Sequence, residues 1–250
     1  MFNELVWSLC IATEAALLVR AARTGMFKRF PVFFLYVACV LAKDLLSIPI
    51  YDHLPSVYPT FYYTAELILA AIGYGILVEI YRQSLKHYPG VNRLFTNFFA
   101  MVFLVIVIGV SVGSSASSFG RVVAELEQDL RQSQAILLCF LLTLFMYYRV
   151  AVGKNLRGLV TGYSLLVSTE VMMLALALRP RTGLSAFMRE AEPVFYALSL
   201  LIWLAALWNP QPETAPAVPC GIERDYERLA AATRTMLARA RAQLAKVARA

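Results

Sequence analysis

Histidine is nearly missing from this sequence. His53 and His87 stand alone in separate loops, so no HxxxH, HExxH or His–carboxylate metal set lies within an apolar segment, and no metal site is expected. Cysteine is sparse as well: Cys10, Cys39, Cys139 and Cys220 are widely scattered and form neither a CxxC pair nor a disulfide framework. The three in apolar segments read as small buried hydrophobes. No GxSxG elbow, Gly-rich phosphate loop or paired acid–base arrangement occurs, which disfavours an enzyme and gives no reason to expect a cofactor. Charge is also scarce, at 16% of residues against about 25% in a typical soluble domain.

What is present is apolar: 60% of the 250 residues are hydrophobic. They fall into separate runs of roughly 16 to 22 residues, the length a helix needs to cross ~30 Å of hydrocarbon. The reading is an all-α, polytopic integral membrane protein with seven transmembrane helices. The spans are Leu5 to Ala22, Pro31 to Ile50, Phe61 to Tyr81, Phe98 to Ser115, Ala135 to Val152, Gly158 to Leu178 and Val194 to Trp208. The first has no basic n-region and no convincing cleavage site, so it is expected to be a retained helix. The linker FGRVVAELEQDLRQSQ carries Val122, Val123, Leu126, Leu130 and Ala135 near helical spacing and should extend span five as a stem outside the membrane. Pro180 should end span six, and Pro193 suits the first turn of span seven.

Orientation follows from the basic residues of the connections, since cytoplasmic loops carry the excess. Seventeen Lys and Arg fall in the last turn of, or after, spans one, three, five and seven, against five (Arg121, Arg131, Arg179, Arg181, Arg189) on the opposite side. The N-terminus is therefore expected outside and the C-terminus in the cytoplasm, in a bacterial-type plasma (inner) membrane. The same loops explain a pI of about 9.3 without nucleic acid.

Past the bundle (residues 1–208), residues 209–221 hold four prolines and read as an extended linker. Residues 222–250 read as a cytoplasmic basic amphipathic helix: Ile222, Tyr226, Leu229, Thr233, Met236 and Ala240 step by four and three, with acids first and bases last. Two roles compete for it. It can lie on the anionic inner leaflet, the favoured reading, or form a coiled coil giving a homodimer or a cytoplasmic contact.

The chemistry sits in the few charges inside the spans. Lys43 and Asp44 are adjacent in span two, and Glu14, Glu66, Glu79 and Glu170 lie in other spans. Helix rise puts Lys43, Asp44 and Glu170 about 18–20 Å above the inner boundary and Glu66 about 22 Å. Glu14 lies nearer the cytoplasm, and Glu79 at the boundary, where water and Arg82 would satisfy it. Charges at depth cost at least ~2.5 kcal/mol each and should face the interior. One lysine among Asp44, Glu66, Glu170 and Glu14 leaves a surplus of negative charge, which calls for protonation, water or a cation. Lys43, Asp44, Glu66, Glu170 and Glu14 are thus the candidate ligand or proton site, set against a purely structural pair of Lys43 with Asp44 locking span two to spans three and six.

In span six, Thr161, Ser164 and Ser168 form one stripe, with Tyr163, Val167 and Glu170 beside it. Gly109-xxx-Gly113 and Gly158-xxx-Gly162 are candidate close-packing motifs. Tyr62, Tyr63, Tyr147, Tyr148, Trp203 and Trp208, at span ends, read as interface-belt aromatics. The layout resembles, in topology alone, the seven-helix sensory modules of bacterial sensor kinases, in which a bundle feeds a cytoplasmic helix. The function expected is a receptor- or sensor-like or accessory membrane protein, with a small proton- or ion-coupled transporter as the alternative.

Overall fold

The computed structural model describes residues 2–113, 119–148, 150, 152–177, 183–209 and 221–247. Among them it holds helices and no strand: α1 (Phe2–Thr24), α2 (Pro31–His53), α3 (Tyr58–Ser84), α4 (Pro89–Gly113), α5 (Phe119–Tyr148), α6 (Lys154–Ala177), α7 (Gly183–Leu207) and α8 (Gly221–Val247), with a 3₁₀ turn at Met26–Lys28. Five of them, α1 to α5, are long and apolar enough to cross a membrane; the apolar stretch of α7, Ala191–Leu207, is shorter. The outward faces fit that environment: Leu45, Leu46 and Ile48 of α2, Met101, Leu104, Val105 and Ile108 of α4, and Ile136, Phe140 and Met146 of α5 are all exposed. A row of large apolar side chains facing outward is stable where lipid covers it. The chain has the make-up of an integral membrane protein.

The helices close on themselves. α1 packs on α2, α2 on α3, α3 on α5, α5 on α6, α6 on α7, and α7 returns to α1. α4 leans on α3 and α5 from outside this ring, and α3 reaches across it to α6. Polar side chains tie the ring by donating to carbonyls of neighbouring helices, which have a second lone pair to offer. Gln134 Nε2 donates to Ala70 O (2.8 Å), Tyr163 Oη to Gly73 O (2.6 Å), Tyr81 Oη to Leu137 O (2.9 Å) and Tyr74 Oη to Phe99 O (2.8 Å).

Glu79 has a role other than the one expected. Its carboxylate accepts from the backbone N–H groups of Val32 (3.1 Å) and Phe33 (2.9 Å), the second and third residues of α2. No side chain of α2 caps that end, and Pro31 stands at its start, so the orphan donors of the first turn are satisfied from α3. An anion there also complements the helix dipole. Glu79→Ala should lower stability by about 1–2 kcal/mol, the range of a lost cap, read from thermal unfolding in lipid nanodiscs.

Several helix ends differ from the expected spans, because hydropathy marks only the apolar part of a helix whose polar turns continue beyond it. α4 starts at Pro89 and not Phe98, and α7 starts at Gly183, so Pro193 lies inside a helix instead of in its first turn. A proline inside an apolar helix is tolerated where neighbours satisfy the freed carbonyl. The expected stem is a helix continuous with α5 from Phe119. Gly25 takes a left-handed conformation (φ 69°) where α1 ends, the position glycine favours after a helix. Of the cysteines in spans, Cys10 is buried, Cys39 intermediate and Cys139 exposed. Cys220, Pro180, Arg179, Arg181 and all but the end residues of the 209–221 linker lie outside the described residues.

The glycine motifs divide. Nothing lies within 4 Å of a Cβ placed at Gly109, whereas Gly158 and Gly162 form the seam between α6 and α7. Trp203 fills that seam: it is fully buried, donates Nε1–H to Leu159 O at 3.1 Å and stacks edge-on against Phe33 at 4.9 Å. It is a core residue and not part of an interface belt.

Candidate functional site

Inside the ring lies a cavity of about 520 Å³, walled by α2, α3, α5, α6 and α7. Lys43 and Asp44 come to it from α2, Tyr62 and Glu66 from α3, Glu127 and Arg131 from α5, Thr169 and Glu170 from α6, and Glu192, Pro193 and Tyr196 from α7. Lys43 is ten residues before the end of α2, Glu66 eight after the start of α3 and Glu170 seven before the end of α6. At 1.5 Å per residue these lie about 10–15 Å from the helix ends, at the end of the bundle where α2 joins α3. The expectation that charges of spans two, three and six share one level is met for Lys43, Glu66 and Glu170.

The pairing within the cluster is not the one the sequence implied. Lys43 and Asp44 are sequence neighbours, so their side chains leave the helix about 100° apart. Lys43 Nζ instead donates to Glu66 Oε1 at 2.6 Å, with the ammonium 5.7 Å above the Tyr62 ring. The other oxygen of Glu66 accepts from Arg131 Nη2 at 3.1 Å. Arg131 also binds Glu127 Oε1 through Nε (2.8 Å), one helical turn back, and Glu170 Oε1 through Nη1. One guanidinium thus gathers carboxylates from α3, α5 and α6, and Glu66 passes the chain of charge on to α2. The side chains are shielded, at 16% exposure for Arg131, 11% for Glu66 and 19% for Glu170.

Arg131, expected in the stem outside the membrane, lines the cavity instead. The helix continues through that stem, and its inward stripe of Val123, Leu130 and Gln134, all buried, carries Arg131 inward with it. The available signal was the Glu127–Arg131 spacing of four beside that stripe. Glu192 and the wall tyrosines Tyr36, Tyr62 and Tyr196 were also not anticipated. In α6, Tyr163 and Val167 are buried and Glu170 faces the cavity, while Thr161, Ser164 and Thr169 satisfy their hydroxyls on carbonyls four residues back.

Glu14 stands apart. It does not line the cavity; it is fully buried, and its Oε1 accepts from Tyr196 Oη at 2.6 Å while Oε2 has no partner among the described residues. Tyr196 is a cavity wall on one side and the partner of Glu14 on the other, linking α7 to α1.

The charge balance decides what the cavity can do. Five carboxylates (Asp44, Glu66, Glu127, Glu170, Glu192) and two cations line it. Glu66, Glu127 and Glu170 share Lys43 and Arg131. Asp44 and Glu192 make no ion pair among the described residues. The site therefore has a satisfied ionic floor and two carboxylates left to meet something positive, in a wall that also offers tyrosine hydroxyls and rings. Among the described residues, no group of three or more His, Cys, Asp or Glu is arranged to hold a metal ion.

No protein-family model matches the chain, and no curated protein or solved structure is significantly similar to it.

Proposed function

We propose that this chain is a receptor- or sensor-like seven-helix membrane protein, or an accessory subunit of that kind, whose internal cavity is the ligand site and favours a small cation. In this reading α1 to α7 all cross the membrane, with the N-terminus outside and the C-terminus in the cytoplasm of a bacterial-type inner membrane. The distribution of Lys and Arg supports that orientation, and under it the cavity lies toward the outer end. The observation that carries the reading is the cavity of about 520 Å³ with two carboxylates that have no ion-pair partner among the described residues, beside a bound ionic network. Such volumes suit small-molecule sites. An organic amine or guanidine would gain charge pairing from Asp44 and Glu192 and cation–π contact from the tyrosines.

An output path is also available. Tyr148, at the end of α5, donates to Asp225 of α8 at 3.3 Å, and α8 packs on α4. A shift of α5, which holds Arg131, would be felt by α8. On this reading α8 presents its basic C-terminal half to the anionic inner leaflet; loss of dimer on removing residues 222–250 would favour the coiled coil instead.

The test uses purified protein in nanodiscs, titrated with a panel of amines and guanidines (putrescine, choline, agmatine) and followed by thermal shift. Binding of at least one cation is expected, about tenfold weaker in Asp44→Asn and in Glu192→Gln, the loss of roughly 1.4 kcal/mol. Unchanged affinity in both variants would sink the proposal. Flux of the same cation or of protons in proteoliposomes would identify the transporter instead.

A further inference from the structure

A second cavity, of about 500 Å³, lies between α5 and α6 at the opposite end of the bundle from the first. Its walls are apolar on the α5 side (Leu142, Phe145, Met146), while α6 contributes Val160, Thr161 and Arg157. Arg157 is three residues from the start of α6, about 5 Å along the axis, whereas Leu142 is six residues from the end of α5, about 9 Å along it. The groove is thus cationic at its mouth and apolar further in. It opens outward, since Met146 is 81% and Leu142 37% exposed. Arg157 has no ion-pair partner among the described residues, Lys154 one turn earlier is exposed and likewise unpaired, and no acid lines the groove.

We infer that this groove holds an anionic phospholipid, its phosphate at Arg157 and Lys154 and one acyl chain laid along Leu142 and Met146. The order of chemistry along the groove is that of a lipid: charge at the helix ends, hydrocarbon deeper, on a face that the bilayer covers. Basic pockets between helices at the cytoplasmic end characteristically take such headgroups, and an arginine so near a helix end reaches the interface with its stem in the apolar layer. A second copy of this chain would have to bring an acid to Arg157 and large side chains to the groove. The lipid brings both in one molecule and is present at every face. The inference rests on the membrane crossing of α5 and α6 and the orientation proposed above, and stands whether or not the first cavity binds a cation.

The full chain, purified in detergent, is incubated with equal amounts of phosphatidylglycerol and phosphatidylcholine of the same tails, and retained lipid is read by native mass spectrometry. Phosphatidylglycerol should be retained over phosphatidylcholine by roughly tenfold, the scale of two cations near a headgroup. Arg157→Gln with Lys154→Gln should abolish that preference, and Val160→Trp, which fills the groove, should reduce retention of both lipids. Both changes in the double glutamine variant are at exposed positions, so it decides the question even where Val160→Trp does not fold. An undiminished preference in that variant would overturn the inference. So would displacement of the lipid by excess inorganic phosphate, which would mark a free-anion site.

Discussion

Replacing Arg131 with methionine is expected to destabilise the bundle by about 3–5 kcal/mol, the cost of removing one partner from a shielded ionic network. The guanidinium is bound by Glu66, Glu127 and Glu170 at once, so its loss leaves three carboxylates on three helices facing one another at low exposure. Lys43 can still pair with Glu66, but Glu127 and Glu170 have no second cation among the described residues. Lys43→Met should cost less, because Glu66 keeps Arg131. The mechanism makes a further demand that a simple packing defect would not meet. Adding Glu127→Gln and Glu170→Gln to the Arg131→Met variant should restore a large part of the loss, since the stranded charges go with their partner while Glu66 keeps Lys43. Unfolding in nanodiscs measures all of these; an Arg131→Met variant that melts with the wild type, or a triple variant no better than the single, would contradict the network.

The fold was more legible in the sequence than the site, and the reason is physical. A run such as Phe61 to Tyr81 reports its length and apolarity residue by residue, so the existence of the helices follows from local pattern. Their true ends do not: α4 and α7 begin in polar turns that hydropathy passes over, and Pro193 looked like a helix start while standing inside one. The site depends on which faces meet. Depth along each helix could be counted, which is why Lys43, Glu66 and Glu170 were brought to one level in advance. Azimuth could not, and so Asp44 was paired with its neighbour Lys43 when Glu66 takes the ammonium. The largest miss, Arg131, comes from placing the helical stem before Ala135 outside the membrane, away from the charges of the other spans. Charges lower the mean hydropathy of a stretch whether they face water or one another, and only the inward stripe of Val123, Leu130 and Gln134 tells the cases apart. The surplus of acid anticipated from five residues survives the addition of a second cation, because Glu127 and Glu192 arrive with it.

Gly158→Ala is expected to cost about 2–3 kcal/mol, in the upper part of the range for an overpacked core, although it adds a single methyl group and improves helix propensity. A Cβ at that position would overlap the Cβ of Ala206, with the Ala206 Cα only 3.5 Å away. Ala206 has no side-chain torsion to turn aside, so the strain passes to the backbones and α6 must part from α7. Parting them also threatens Trp203, which sits one turn along the same seam with its Cδ1 2.7 Å from a Cβ placed at Gly162 and its Nε1–H on Leu159 O. In a membrane, where apolar side chains gain little by leaving lipid, close contact of small residues is a main source of helix association, so this seam is sensitive to one methyl. The complementary change identifies the cause: Gly158→Ala combined with Ala206→Gly moves the methyl from α7 to α6 and should recover most of the stability. Alanine at 158 tolerated alone, or unrescued by glycine at 206, would mean that the two helices are not held by this contact. The seam also bears on the cavity, because α6 and α7 bring Glu170, Glu192 and Tyr196 to its wall; the Gly158→Ala variant should therefore weaken cation binding as well as stability, and the double variant should restore both together.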